Sequence, residues 1–145
     1  MSVYQELITP DGRPLLHGVA LETQSIFAPT KKTIPTFTAL LDTGTYHTLV
    51  GQGIIDELGI KPSRTDDKFT TAGGNAEVDY YNDVTIIFPN GEKFTITVTC
   101  SRVYFSKLDQ PPPFQIAIGM DILKHGILML NGFTSRYILE FKDGK

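Results

Sequence analysis

The sequence predicts a mainly β fold that forms one globular domain. Residues with β-branched and aromatic side chains recur in short runs, and glycine, proline and asparagine separate these runs. The chain has 145 residues, of which 41% are hydrophobic and 20% are charged. This composition supports a hydrophobic core, while the length is short for two ordinary domains. We therefore expect a single domain over residues 1–145.

The first half of the chain predicts a hairpin followed by a short helix. Extended runs at residues 15–25 and 34–41 flank a turn-rich segment at residues 28–32, so the two runs are expected to pair. Residues 51–58 carry apolar side chains at helical spacing and precede Gly59, which suits the C-terminal end of a helix. This helix is expected to pack beside the preceding strand.

The second half predicts two further hairpins. Asn-Gly, the dipeptide most typical of tight hairpins, occurs in the expected turns at residues 89–92 and 131–132. The four strands that flank these turns are residues 84–88, 94–98, 127–130 and 137–141. Three consecutive prolines within residues 108–113 predict an extended connector, with a ligand for a proline-reading domain as the alternative. Residues 121–125 predict a short helix.

Charge and cysteine content argue against several classes of function. The net charge of -3 is spread along the chain, so no basic surface for nucleic acid is expected. The N-terminus lacks the features of a signal peptide, and charged residues interrupt the most apolar stretch, residues 116–130. We expect a cytoplasmic protein without a membrane segment. Cys100, the single cysteine, is expected to be buried and fits a reducing compartment.

One carboxylate at the end of a strand is the strongest candidate for chemistry. Residues 39–45 carry Asp42 from an apolar run into a tight turn, where Gly44 allows close backbone approach. The alternative is that Asp42 is an ordinary turn aspartate, because Asp-Thr-Gly alone should occur by chance in about one chain of this length in thirty. A second apolar run, residues 116–119, ends in glycine directly before the predicted short helix.

These two motifs together resemble the retropepsin family, the retroviral and retroviral-like aspartic peptidases. The resemblance covers about residues 12–141, and it is greatest to bacterial members, through residues 41–44, 47–48 and 118–123. It implies a mainly β, retropepsin-like closed barrel or sandwich with one or two short helices, which acts as a twofold dimer.

The resemblance also implies roles for individual residues. Asp42 would be the catalytic residue, and Thr43 and Gly44 would support the active-site loop. A glycine-tipped segment lies where the family places the flap that closes over bound peptide, with a simple surface turn as the alternative. The residues of this segment are Thr71, Ala72, Gly73, Gly74 and Asn75.

Several positions near the motifs depart from the family or extend the site. Thr45 stands where the family usually has alanine or serine, and both Thr45 and Ile118 are candidate substrate contacts. Tyr46 and Met120 stand where viral enzymes commonly place a carboxylate and an arginine that pair near the dimer interface. His47 is expected to pack or hydrogen-bond beside the Asp42 loop.

A single catalytic aspartate implies a homodimer. Peptide hydrolysis without a covalent intermediate needs one group to deprotonate water and another to protonate the carbonyl oxygen, and two close aspartates that share one proton supply both. Asp-Thr-Gly occurs once, so the second Asp42 must come from a second copy. Thr43 is expected to hydrogen-bond across the axis. The hairpin at residues 127–141 is a candidate interface, with completion of the subunit's own sheet as the alternative.

Other functions have less support. The three histidines and Cys100 lack the spacing of a zinc site, and no nucleotide-binding or serine-nucleophile motif occurs, so we expect neither metal nor cofactor. The alternative to a peptidase is a catalytically silent retropepsin-like module that binds peptides or dimerises. We favour an aspartic endopeptidase that acts on peptide or protein substrates, because the sequence retains Asp42, the hydroxyl of Thr43 and the flap glycines.

Overall fold

The described part of the chain is predominantly β-sheet. A computed structural model describes residues 2–25, 28–33, 35–71, 74–101 and 113–142. Within these ranges there are eleven strands and two helices. The strands are β1 (Ser2–Leu7), β2 (Leu15–Ser25), β3 (Ala28–Thr33), β4 (Phe37–Leu41), β5 (Leu49–Val50), β6 (Arg64–Thr71), β7 (Gly74–Ile87), β8 (Lys93–Cys100), β9 (Ile116–Ile118), β10 (Gly126–Asn131) and β11 (Arg136–Phe141). The helices are α1 (Gln52–Leu58) and α2 (Met120–Leu123).

Six strands close into a barrel. Their order is β2-β4-β9-β5-β8-β7, and β7 pairs back with β2 through antiparallel partners such as Leu21 and Ile86. Strands β3 and β6 extend this sheet, since β3 pairs with β2 and β6 pairs with β7. Closure removes the free edges that an open sheet of these strands would leave. The predicted mainly β fold with a closed barrel and short helices is confirmed.

The two runs predicted to form the first hairpin pair with each other, but the residues between them include a further strand. Strand β2 pairs with β3, where Glu22 opposes Thr33, and with β4, where Leu15 opposes Leu40. The prediction of a turn at residues 28–32 is wrong, because these residues belong to β3. Proline and lysine, which suggested a turn, are also tolerated in a strand at the edge of a sheet, and β3 is such a strand.

The other local predictions in the middle of the chain are confirmed. Helix α1 begins after Gly51 and ends at Gly59, whose φ of 66° lets its N–H donate to the carbonyl oxygen of Ile55. The hairpin of β7 and β8 turns at residues 88–92, and Gly91 has a φ of 99°. Helix α2 starts one residue before the predicted helix. Residues 108–112 of the proline-rich connector lie outside the described residues.

The chain ends form a separate three-stranded sheet, here called the terminal sheet, in the order β1-β11-β10. The strands predicted at residues 127–130 and 137–141 are confirmed as β10 and β11, and the side chain of Asn131 accepts hydrogen bonds in the turn between them. Strand β1 was not predicted. Strand β11 lies in the middle and completes the subunit's sheet, whereas β10 has one neighbour among the described strands.

One hydrophobic core joins the barrel to the terminal sheet. Val19 and Val84 of the barrel, Ile122 of α2 and Leu139 of β11 are fully buried and belong to the same cluster. Burying one large apolar side chain contributes about 1.5–3 kcal/mol of favourable free energy. The shared cluster is therefore the main attraction between the two sheets. The terminal sheet is therefore packed on the barrel by its inner face.

Tyr137 connects three strands near the edge of this core. It is fully buried, and its hydroxyl donates to the carbonyl oxygen of Leu15 (2.8 Å) and lies 3.0 Å from Oε2 of Glu6. Burial, followed by the charge of Glu6 and the hydrogen bond to it, raises the pKa of the Tyr137 hydroxyl above its ordinary value. The tyrosine therefore stays neutral in the folded protein at pH values where the unfolded chain ionises.

Replacement of this tyrosine should change how stability depends on alkaline pH. Above about pH 10 the unfolded state binds fewer protons than the folded state, so the unfolding free energy falls by up to about 1.4 kcal/mol per pH unit for this group. We expect Tyr137→Phe to be less stable at pH 7 by about 1–2 kcal/mol, because it loses the hydrogen bonds. Its decline between pH 10 and 12, measured by urea unfolding, should be shallower than that of the wild type; parallel curves would contradict the assignment.

Candidate active site

Asp42 lies where two parallel barrel strands end side by side. Leu41 of β4 opposes Ile118 of β9, and the N–H of Asp42 donates to the carbonyl oxygen of Ile118 (2.8 Å). Oδ1 of Asp42 accepts a hydrogen bond from the N–H of Gly44 (2.9 Å). A Cβ on Gly44 would lie 3.1 Å from this oxygen, which is tight. The backbone thus orients a partly exposed carboxylate on a rigid strand end.

A buried pair of side chains holds the far end of the Asp42 loop. Thr48 is fully buried, and its N–H and hydroxyl donate to the two carboxylate oxygens of Asp121 at 2.9 and 2.7 Å. The same hydroxyl accepts a hydrogen bond from the N–H of Gly119 (3.1 Å). We call these contacts the Thr48–Asp121 clamp. A buried carboxylate is stable only when its oxygens have such partners, so the clamp keeps the loop and α2 together.

Backbone contacts reinforce the clamp. The N–H of Met120 donates to the carbonyl oxygen of Thr45 (2.9 Å), and the N–H of Asp121 donates to that of Tyr46 (2.8 Å). A Cβ on Gly119 would lie 2.5 Å from the carbonyl oxygen of Tyr46, closer than real Cβ atoms approach. Glycine at this position is therefore what permits the close approach between the loop and the start of α2.

The other predicted site residues occupy different environments. Thr43 is exposed, and its hydroxyl makes no hydrogen bond within the described part of the subunit. Thr45 is half-buried, and its hydroxyl donates to the carbonyl oxygen of His47 (3.2 Å). Ile118 is fully buried in the main core cluster, so its side chain packs inside the subunit and has no surface for a substrate. Its contribution to the site is the carbonyl oxygen bound by Asp42.

The predicted flap segment lies at the tip of a hairpin. Strands β6 and β7 pair antiparallel, with Thr71 opposite Gly74 and Thr70 opposite Asn75. Ala72 and Gly73 lie outside the described residues. The hairpin therefore exists at the predicted place in the chain, whereas its action as a flap stays a prediction.

An aromatic row that sequence reasoning missed extends from the Asp42 loop to this hairpin. The ring of His47 packs edge-to-face between Tyr46 (5.1 Å between ring centres) and Tyr80 (5.6 Å). Each end of the row carries a cation, with Lys124 at Tyr46 and Arg64 over Tyr80. We call these three rings the aromatic row. Only the packing of His47 near the loop was predicted, since the partners are far apart in the sequence.

The described residues form neither a candidate metal cluster nor a membrane-spanning helix. Across the described ranges, no group of three or more His, Cys, Asp or Glu side chains could hold a metal ion. None of the described helices has the length and apolar character needed to cross a membrane. Cys100 is buried, as expected, with its sulfur 3.7 Å from Oε1 of Gln52.

Comparison with known proteins supports the interpretation of fold and family. A family model described as aspartyl protease matches residues 33–122. The structure of a retropepsin-like aspartic protease from Rickettsia conorii aligns with a TM-score of 0.60 and 13% identity, over 97% of this chain and 91% of that chain. The retroviral protease-like domain of Ddi1 from Leishmania major aligns with a TM-score of 0.46 and 14% identity, over 83% of each chain. No curated protein sequence matches. The first of these structures shows that the fold is retropepsin-like.

The clamp predicts a specific effect of mutation on stability. Thr48→Val removes the hydroxyl, which leaves one oxygen of buried Asp121 without its donor, so we expect a loss of about 2–4 kcal/mol in unfolding free energy. Thr48→Ser keeps the hydroxyl and loses one methyl group, and it should cost about 1 kcal/mol. Urea unfolding of both variants measures this difference. Equal losses for valine and serine would mean that packing, and not the hydrogen bonds, is what Thr48 contributes.

Proposed function

Since the chain belongs to the aspartyl protease family, we propose that it is an aspartic endopeptidase whose active site is formed by Asp42 from two identical subunits. The observation that carries the proposal is the placement of Asp42, a partly exposed carboxylate at the ends of two barrel strands. The proposal takes the chain as one domain. It also places the protein in the cytoplasm, because the single Cys100 suits a reducing compartment.

The chemistry needs both carboxylates in different protonation states. Two close aspartates share one proton, because ionisation of the first opposes ionisation of the second. The ionised Asp42 takes a proton from water, whose oxygen attacks the carbonyl carbon of the peptide bond, while the protonated Asp42 gives its proton to the carbonyl oxygen. The Asp42 that took a proton from water then gives it to the nitrogen as the C–N bond of the tetrahedral intermediate breaks, and the other Asp42 takes a proton from one hydroxyl of the intermediate. The products are a free carboxyl group and a free amine.

The proposed dimer follows from the single Asp-Thr-Gly motif in each chain. A twofold axis between the two loops would bring one Asp42 beside the other. The exposed hydroxyl of Thr43, which has no hydrogen bond within the described subunit, is available to the opposite loop. Gly44 keeps the turn compact beside the carboxylate. These features support the proposed roles of Thr43 and Gly44 in the loop.

Strand β10 is the part of the terminal sheet that we propose pairs with the second subunit. It has one neighbour among the described strands, and Ile127 (55% exposed), Met129 (55%) and Leu130 (58%) leave much apolar surface in water. An unpaired strand of this kind is a template for pairing with another chain. The strand at the other edge, β1, already contacts the β7–β8 turn of the barrel, since the carbonyl oxygen of Val3 accepts a hydrogen bond from the side chain of Asn90.

The hairpin of β6 and β7 is the proposed flap. Its tip, residues 71–75, contains two glycines, which allow the backbone to come close to a bound peptide. An extended peptide between this hairpin and the Asp42 loop would present its scissile bond to the two carboxylates. Thr45 directly precedes Tyr46 in the Asp42 loop, and this position makes it a proposed substrate contact.

Cleavage of a diverse peptide library by concentrated protein tests the proposed reaction. Wild-type protein should cleave, with Asp42→Asn at least about a thousandfold slower, because an amide cannot take a proton from water. Mass spectrometry of the products between pH 4 and 7 gives both rate and cleavage site. If neither protein cleaves although sedimentation shows a dimer, the catalytically silent peptide-binding module replaces the enzyme as the interpretation.

Charge on β10 should weaken the dimer. The double variant Ile127→Lys/Met129→Lys places two like charges per subunit along the proposed interface, and we expect its dimer dissociation constant to rise by about tenfold or more. Val3→Lys/Leu7→Lys is the matched control, because these exposed residues lie on the same face of the terminal sheet but on the opposite strand. Sedimentation over a concentration series measures both. Equal weakening in the two variants would place the interface elsewhere.

A further inference from the structure

The aromatic row ends at an arginine that is held flat against a ring. The guanidinium carbon of Arg64 lies 3.8 Å from the ring centre of Tyr80, a stacking distance. Stacking on one face leaves the N–H groups in the guanidinium plane directed outward, in the fork that matches a carboxylate. It also restricts the side chain before any ligand arrives, which lowers the entropic cost of binding. Arg64 is therefore prepared for an anionic partner.

A second cation lies at the other end of the row. Nζ of Lys124 lies 3.1 Å from the hydroxyl oxygen of Tyr46 and 5.4 Å from the ring centre. His47 lies between the two tyrosines, so the row carries a cation at each end and a titratable ring in the middle. Tyr46 is 54% exposed, and Arg64 and Lys124 are exposed as well. The cationic ends can therefore be reached from solvent.

Among the described residues, neither cation forms an ion pair with a carboxylate. The nearby acidic groups have other positions or partners: Asp79 accepts a hydrogen bond from Thr65 (2.6 Å), and Asp121 is buried in the clamp. The row thus presents two positive charges that form no ion pair within the described subunit.

The row also joins the Asp42 loop to the hairpin of β6 and β7. Tyr46 and His47 belong to the loop that begins at Asp42, and Arg64 and Tyr80 oppose each other in the hairpin of β6 and β7. The row consequently bridges the two elements between which the proposed function places an extended peptide. A side chain of that peptide, several residues from the scissile bond, would meet the row.

We propose that the aromatic row and its two cations form a subsite for an acidic side chain of the substrate, with Arg64 as the principal ligand. This inference rests on the proposed peptidase function and adds the substrate class to it. The carboxylate accepts two hydrogen bonds from the guanidinium edge, which the buried ring of Tyr80 supports from behind. The enzyme accordingly prefers glutamate or aspartate to their amides at one position outside the scissile bond.

Matched peptides test the subsite. A cleaved library sequence is resynthesised with glutamate or glutamine at each flanking position in turn, and kcat/KM is measured for each pair. Wild-type protein should prefer glutamate at one position by about three- to tenfold, mostly through KM, as expected for a partly exposed charge pair. The preference should shrink in about 1 M salt, where the Debye length is about 3 Å.

Variants of the two cations assign the preference. Arg64→Gln should reduce the ratio at that position to about one to two, and Arg64→Lys, which keeps the charge but not the fork, should retain part of it. Lys124→Gln tests the other end of the row. Lys93→Gln is the matched control, because this exposed lysine is far from Tyr80. It pairs with Ile87, which is seven residues from Tyr80 along β7. This control should leave the ratio unchanged, and circular dichroism checks that each variant is folded.

The outcomes separate the subsite from the proposed function. If peptides are cleaved but no position prefers glutamate, or if the preference survives both Arg64→Gln and Lys124→Gln, the subsite is wrong while the peptidase stands. If no peptide is cleaved, the peptidase is wrong, and fluorescence anisotropy with labelled library peptides that carry glutamate or glutamine at matched positions then measures binding. Tighter binding of glutamate that depends on Arg64 would support the subsite, and equal binding would overturn it.

Discussion

The hydrogen bonds between Thr48 and Asp121 are the contacts on which the geometry of the site depends. They join the end of the Asp42 loop to the start of α2, and they leave both oxygens of a buried carboxylate satisfied. Gly119 makes the approach sterically feasible, since any side chain there would collide with the loop backbone. Because Asp42 is held at the other end of the same loop by Ile118, the carboxylate is positioned from both sides.

The proposed dimer and the proposed substrate site both follow from the presence of one Asp-Thr-Gly motif in each subunit. The strand ends fix Asp42 in place, and β10 forms one edge of the terminal sheet with its apolar side chains partly exposed. A symmetric dimer would use that edge and would complete the catalytic pair at once. The aromatic row would then distinguish substrates beside the pair, since Arg64 and Lys124 form no ion pair within the described subunit.

The sequence predicted those parts of the fold that depend on neighbouring residues. Gly59 ends a helix through its own backbone, and Asn131 organises its own turn, so these features could be read locally. Strand β1 was not predicted, because its sequence alone does not mark it as a strand and the strand forms by pairing with β11. The clamp and the aromatic row were missed for the same reason: Thr48 and Asp121 are 73 residues apart, and no local pattern joins them. Asp42 could be proposed from the sequence because its motif is contiguous.

The measurement that tests the central claim most directly is activity in mixtures of wild-type and Asp42→Asn subunits. The total protein concentration is held constant and high enough for dimers, and the subunits are allowed to exchange. If each site needs Asp42 from both subunits, activity follows the square of the wild-type fraction, and an equal mixture keeps about a quarter of the full rate. Activity that falls in direct proportion to the wild-type fraction would contradict a shared site, since each subunit would then work alone.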